Sequence, residues 1–437
     1  MTDCISQREL FPTCKSRKVI FDFQGGDITS DAGVMLLRLA DRRLGLTKDL
    51  AKRIPDTRSK AHGDHSLRDL LRQRIYAIAL GYEDLNDHNT LRHDIALQTA
   101  VGRDEAMGSA STLCRLENRA NRETARIISD WIVEQFIASY DEAPEELIMD
   151  FDATDDRVHG SQEGRFFHGY YYDYCFLPLY VFCNDQLLVS YLRPSNIDAA
   201  KHSLAILSLL VKRLRTAWPE VRIIFRGDSG FCRRKLMSWC ERHQVDYVIG
   251  IGKNNRLSLL HADQIPQAEK AYEQSGEKQR LFSSFCYTAG TWDRSRRIVA
   301  KAEHTQKGSN PRYVVTTLDI DAQDLYDQLY CARGDMENRI KEQQLGLFAD
   351  RTSCTAWWAN QWRVLLSSLA YVLFEYIRRK GLSATQWAKA QVTTIRLTLL
   401  KLGASIIRNT RRVYFHACSA YAHQALFETV ACRLNSS

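Results

Sequence analysis

The chain has 437 residues, 45% hydrophobic and 26% charged, with 60 Lys and Arg against 52 Asp and Glu for a net charge of +8. Such a composition excludes an intrinsically disordered chain, and the length allows two or three domains, each with its own core. No run approaches the roughly 20 apolar residues a membrane helix requires; the longest, Val364 to Phe374, is broken by Ser367 and Ser368 and reads as a buried helix, so no membrane partner is expected.

Met1 to Lys18 carries no apolar stretch of the kind that opens a secretory leader. The 12 cysteines include no C-x-x-C pair and no zinc-ligand spacing with histidine. They are therefore expected to be reduced thiols of a cytoplasmic protein, and Cys175, Cys183 and Cys286, inside apolar runs, to be buried. The modest positive charge is compatible with a polyanionic partner without requiring one. Local basic clusters stand at Arg294, Arg296, Arg297 and Lys301, and at Arg408, Arg411 and Arg412.

Residues 1–140 read as mostly helical. Leu67, Leu70, Leu71, Ile75, Ile78 and Leu80 recur at helical spacing, as do Ile127, Ile128, Trp131, Ile132 and Phe136. Arg68, Arg72 and Arg74 lie on a polar face expected to be solvated, or alternatively to face nucleic acid.

The period then changes. Leu147 to Asp152, Tyr174 to Cys183 and Gln186 to Leu192 are strand-like, the last two joined by the turn signal Asn184-Asp185. Ser195 to Asp198 resembles a capping box opening a helix with the apolar face Leu204, Leu207, Val211, Leu214 and Trp218. A strand at Val221 to Phe225, a helix at Cys232 to His243 and a strand at Val245 to Ile251 follow. Three strands and then alternating helices and strands predict an α/β fold, a ribonuclease-H-like core with a mixed five-stranded sheet flanked by helices. The core's first part spans 141–251. A strand-rich insertion at 252–320 precedes a last core helix at 321–350, and a helical region is expected over 351–437.

Three places offer carboxylates. Asp150 and Asp152 share one face of the first strand, where buried acids are costly unless paired or bound to metal. Asp228 sits between glycines after the fourth strand, either as a turn and helix cap or at the strand end where ligands bind in open α/β sheets. Tyr330, Arg333, Glu337, Lys341 and Gln344 share one helix face, which alone would read as a solvated salt-bridge ladder. Gly334 in that helix suggests a close approach to the backbone. Acids converging on one cleft would make a hard-cation site suited to two Mg²⁺ ions acting on phosphodiesters.

Four blocks resemble the DDE transposases of bacterial insertion sequences, nearest the group that insertion-sequence nomenclature numbers thirteen-eighty, within the larger assembly numbered four. They are Asp150 to Thr154, Leu192 to Asn196, Phe225 to Phe231, and Tyr330 to Gln344. The resemblance implies Asp152, Asp228 and Glu337 as catalytic metal ligands, with Asp150 the second choice for the first acid. It implies Mg²⁺, or Mn²⁺ in its place, as cofactor. The family's final helix runs Tyr, two residues, Arg, three residues, Glu, six residues, Lys; here Gln344 stands at the last position and Lys341 is the nearest substitute on the face. The implied function is cleavage at the inverted repeats of a mobile element and transfer of 3′-hydroxyls to target DNA. It would be carried out by a homodimer or larger synaptic complex, cytoplasmic and bacterial, associated with the nucleoid when DNA-bound. Residues 1–140 would bind DNA, as would Tyr330, Arg333, Lys341, Arg226, Arg294 and Arg297, with Arg333 and Lys341 holding phosphate and Trp292 a candidate stacking side chain. The alternatives are a related nuclease or resolvase without strand transfer and a catalytically inactive DNA-binding relative.

Overall fold

A computed structural model describes residues 11–58 and 64–436; residues 1–10 and 59–63 of the expected N-terminal region, and Ser437, lie outside the described residues. The chain forms two compact units, one from the described parts of 1–51, 56–114 and 376–437, the other from 52–55 and 115–375. Among the described residues no helix is long and apolar enough to cross a membrane.

The larger unit is built on one mixed sheet. Its strands are β1 (Glu146–Ala153), β2 (Leu179–Cys183), β3 (Gln186–Tyr191), β4 (Arg222–Gly227), β5 (Asp246–Ile251), β6 (Gln279–Tyr287), β7 (Arg296–Thr305), β8 (Gly308–Ser309) and β9 (Arg312–Thr316). They lie in the order β6-β7-β9-β5-β4-β1-β2-β3, with β8 paired to β7. β4 is parallel to β1 and β5 to β4, whereas β2 runs antiparallel to β1. Among the described residues the sheet has nine strands where the sequence predicts five, because the strands of 252–320 continue it: β9 pairs antiparallel with β5 and so hides that edge.

Alternation along the strands sorts two layers. Met149, Phe151, Ile223 and Phe225 enter a core with Val133 and Phe136 of α1 (Arg122–Ala138), Leu207 and Leu214 of α2 (Ser203–Ala217), and Leu236 and Met237 of α3 (Arg234–Arg242). On the opposite face Ile148, Ile224, Val248 and Val314 pack with Leu325, Tyr326 and Leu329. That second face carries Asp150 and Asp152, so the segment bearing Glu337 lies against the acids. β2 and β3 are joined at Asn184, which takes the left-handed conformation (φ 53) that a tight hairpin needs. Along this side runs α6 (Trp357–Tyr376), whose Gln361 accepts from Leu192 N at 2.8 Å.

Several local expectations change. The run Tyr174 to Cys183 breaks around Pro178 into Asp173–Phe176 and Leu179–Cys183, as a residue without an N–H cannot continue the ladder. Ser195 to Asp198 does not open α2; the Asp198 carboxylate accepts from Ala200 N in a turn, and the helix starts at Ser203. The segment 322–346 is not one regular helix. It opens with one short helical turn, α4 (Ala322–Asp324), makes a wide π turn over Leu325–Tyr330 and a tight 3₁₀ turn over Cys331–Arg333, then an α-helix, α5 (Gly334–Lys341), and a second π turn, Glu342–Gly346.

The smaller unit holds helices at Val34–Leu44, Leu67–Leu80 and Ile95–Val101. Ser66 and Asp69 close a capping box on the second: Asp69 N donates to Ser66 Oγ and Ser66 N to the Asp69 carboxylate. Where helix is expected throughout 351–437, a hairpin of Ala404–Arg408 and Val413–Ala417 pairs with Ile28–Thr29 before the final helix Gln424–Ser436. Arg72 and Arg74 are buried, against expectation, their guanidiniums spent on Asp41 and on the Tyr82 and Glu83 carbonyls. The described cysteines are unbridged, with Cys175 and Cys183 buried; Cys286 is exposed because β6 is an edge strand.

A candidate acidic site at the end of the first strand

The parallel register of β1 and β4 sets Asp150 beside Arg226. Both are buried, and they form a two-pronged ion pair in which Arg226 Nη2 donates to Asp150 Oδ2 at 2.6 Å and Nε to Oδ1. Another Arg226 nitrogen donates to the Leu329 carbonyl, fastening the incoming helical segment to the strands. Burial pushes the Asp150 carboxyl up and Arg226 opposes the shift. Asp150 is thus closed off from solvent by an internal partner, and Arg226, expected to face DNA, is occupied holding it.

Two residues further on, Asp152 reaches the rim of the sheet. It accepts from Ala153 N at 2.9 Å and from Arg333 Nη1 at 3.2 Å. Burial pushes its carboxyl up to about 7; Arg333 opposes the shift, while Asp228 and Glu337 add to it by charge repulsion. The second Arg333 nitrogen donates to Glu337 Oε1 at 2.9 Å, one helical turn on. One guanidinium therefore holds carboxylates from β1 and from α5.

Asp228 follows β4 and caps the turn Ser229–Phe231, accepting from Gly230 N at 2.9 Å. It also lies within electrostatic reach of the other members. Burial alone would lower the Arg333 guanidinium, but Asp152, Tyr330, Glu337 and Asp228 outweigh it and leave the pKa raised. Burial raises the Tyr330 hydroxyl, Arg333 opposing and Asp228 adding. The Tyr330 hydroxyl lies over Gly250 of β5, where an added Cβ would stand 2.5 Å from the hydroxyl oxygen and 3.1 Å from Ser229 N.

Asp152, Asp228, Glu337, Arg333 and Tyr330 are thus gathered at one end of the sheet. Among the described residues, no three Asp, Glu, His or Cys side chains stand close enough as placed to hold one ion; Arg333 lies between Asp152 and Glu337. The donor set itself fits a hard cation, since it offers only carboxylate oxygens, and burial, which raises the Asp152 carboxyl, is a cost that a bound cation would offset. Lys341 is exposed. Gln344 does not reach outward but donates to the Asp155 carbonyl at 3.0 Å, tying the helical segment to the loop after β1. A Cβ added at Gly334 would meet nothing within 4 Å beyond its own helix, so no close approach accounts for that glycine.

The remaining basic candidates are not part of this group. Trp292 packs against Tyr287 (ring centroids 5.4 Å apart) and under the Arg296 guanidinium, 5.3 Å from its ring. Arg294 pairs with Glu241 at 3.4 Å, and Arg297 donates to the Leu318 and Ile320 carbonyls. Arg296 and Lys301 are buried on Glu241 and Glu303. One contributor, Gly250, is absent from the sequence-based expectations, and for a second, Gln344, only the helix face was foreseen and not the bond to Asp155. Gly250 carried a usable signal, a glycine inside a strand pattern marking close approach. Gln344 carried none, because its use depends on where the loop after β1 turns.

The model of the family described as "Transposase DDE domain group 1" matches residues 11–437, and the chain belongs to that family. No curated protein matches it. Among solved structures it is similar to one titled "Cryo-EM structure of piggyBac transposase synaptic complex with hairpin DNA", at 12% identity and a TM-score of 0.43 over 85% of this chain and 80% of that one. A likeness that distant fixes neither fold nor chemistry here.

Proposed function

We propose that this transposase cleaves DNA at the ends of an insertion sequence and joins the released 3′-hydroxyls to target DNA, with Asp152, Asp228 and Glu337 as its metal ligands. The observation that carries this reading is the shared hold of Arg333 on Asp152 and Glu337, which puts acids 185 positions apart in numbering on one cation. Asp150 is not one of the three, since Arg226 already satisfies it. The sheet order β3-β2-β1-β4-β5, with only β2 and β3 antiparallel to their inner neighbours, supports a ribonuclease-H-like core. The four sequence blocks support membership of the insertion-sequence group numbered thirteen-eighty, hence a bacterial, cytoplasmic enzyme that works on DNA as a dimer or larger complex.

Mg²⁺ or Mn²⁺ at these carboxylates would supply Lewis-acid activation of the phosphodiester. The chain's own groups do the rest. Asp152, Asp228 and Glu337 supply fixed negative charge at the strand ends without competing as nucleophiles. Arg333, freed from its carboxylates by a bound cation, is placed to hold a phosphate beside them, and exposed Lys341 extends the same helix face. Tyr330 braces that segment over Gly250. The described helices within 1–140 would contribute DNA binding.

The test uses purified full chain, Mg²⁺ and DNA carrying candidate element ends. Wild type cuts and joins; Asp228→Asn and Glu337→Gln lose both reactions while binding ends within about threefold of wild type, since their loss removes catalysis, not phosphate contacts. Cleavage retained in both variants overturns the assignment, and products cut but never joined mean a nuclease without strand transfer.

A further inference from the structure

The smaller unit contains a polar cavity of about 730 Å³, separate from the acids above and lined between the helix Val34–Leu44, the start of Leu67–Leu80 and Gly102. Five cations face it, Arg38, Arg42, Lys48, Arg68 and Arg72, against two carboxylates. Both carboxylates are already committed. Asp41 accepts from Thr47 N (2.8 Å), Thr47 Oγ1 (2.7 Å), Tyr76 Oη (2.7 Å) and Arg72 Nε (3.0 Å). Asp69 closes the capping box with Ser66 and pairs with Arg103 at 3.5 Å.

Among the described residues, only Arg72 of these cations is balanced, by Asp41, with Nη1 on the Val101 carbonyl at 2.9 Å. Arg38 donates to the neutral Thr99 carbonyl, and Arg68 Nε is buried with no hydrogen-bond partner. The like charges press on one another: the Arg38 guanidinium is lowered by burial first, then by Arg72, with Arg42 and Arg68 adding. Guanidiniums crowded around a concave, polar space without a counter-charge are arranged for an oxyanion, because each offers paired N–H donors to neighbouring phosphate oxygens.

We propose that this cavity binds phosphate groups, and that in the working enzyme they belong to the DNA backbone, a contact that positions DNA without reading its sequence. The choice of DNA as the source rests on the function proposed above; the oxyanion preference does not. Its volume exceeds that of one phosphate and suits successive phosphates of one strand.

The experiment compares the full wild-type chain with Arg42→Gln/Lys48→Gln, whose side chains are exposed, so that the fold is spared; circular dichroism checks it. Inorganic phosphate should raise the wild-type Tm above the value in chloride of equal ionic strength, and raise that of the variant less. For a random-sequence duplex, the slope of log affinity against log salt should fall by about 1 for each charge removed, equally across sequences. Glu337→Gln should keep the wild-type slope, so a chain that cuts no DNA but shows these effects keeps the phosphate site and loses only the catalytic reading. Phosphate stabilisation with an unchanged DNA slope overturns DNA as the source. No phosphate stabilisation together with an unchanged slope overturns the proposal.

Discussion

Arg333 Nη1 lies 3.2 Å from Asp152 Oδ2, although 181 positions separate the two residues. The contact joins the last helical segment to the first strand, and through Glu337 Oε1 at 2.9 Å it brings two acids to one cation. Replacing Arg333 by Gln removes the positive charge that the proposed function sets beside the reacting phosphate. A single stabilising donor of this kind is worth about a hundredfold in rate, so single-turnover cleavage should fall by that factor, while binding to element ends weakens only by the loss of one phosphate contact. An unchanged rate would remove Arg333 from the site.

The buried Asp150–Arg226 pair predicts a stability defect rather than a purely catalytic one. Asp150→Asn leaves the Arg226 guanidinium buried without its counter-charge, at a cost of about 3 kcal/mol. Urea unfolding should show that loss in Asp150→Asn. The double variant Asp150→Leu/Arg226→Met should recover part of it, because two apolar groups leave no charge stranded. Wild-type stability in Asp150→Asn would mean that the pair is exposed to water.

Gly250 predicts a coupled pair of substitutions. A Cβ there would meet the Tyr330 hydroxyl at 2.5 Å, so Gly250→Ala must move either the ring or β5. Overpacking of this sort costs about 1 to 3 kcal/mol. Cleavage should drop, and Tyr330→Phe, which removes the clashing oxygen, should relieve part of the stability loss when combined with Gly250→Ala. Strict additivity of the two changes would contradict the contact.

What the sequence made legible follows from short-range rules. Period-two alternation put Asp150 and Asp152 on one face, and the glycines around Asp228 marked a strand end. The resemblance ranked Asp152 above Asp150, but the partner that sets the two apart, Arg226 beside Asp150, comes from the register of β1 on β4, which no local pattern encodes. The wide and tight turns of 325–333 were hidden for the same reason: their sequence has ordinary helix formers, and the irregularity arises where the segment packs on the sheet. The strands of 252–320 were legible as strands, but their partner β5 was not. The hairpin after Ala404 escaped because its turn, Asn409 to Arg412, contains no glycine.

His88 predicts a pH dependence of the smaller unit. It is fully buried, with Nδ1 3.1 Å from Gln73 Nε2, and burial first, then Arg74, lowers its pKa from 6.5 to about 3. The folded imidazole therefore stays neutral while the unfolded one takes up a proton below 6.5. Stability from this group is present above pH 6.5 and is lost as pH falls towards 3, by at most about 1.4 kcal/mol per unit. An NMR titration should find no His88 midpoint above pH 4; a midpoint near 6.5 would mean the ring is hydrated.

The most direct test of the account is anomalous diffraction from crystals of the full chain with Mn²⁺ and cleaved end DNA. A manganese peak is expected within about 2.2 Å of oxygens of Asp152, Asp228 and Glu337, close to the usual range for carboxylates on such ions, with Arg333 turned from Asp152 onto a phosphate. Manganese bound elsewhere, with Arg333 still on Asp152 and Glu337, would contradict it.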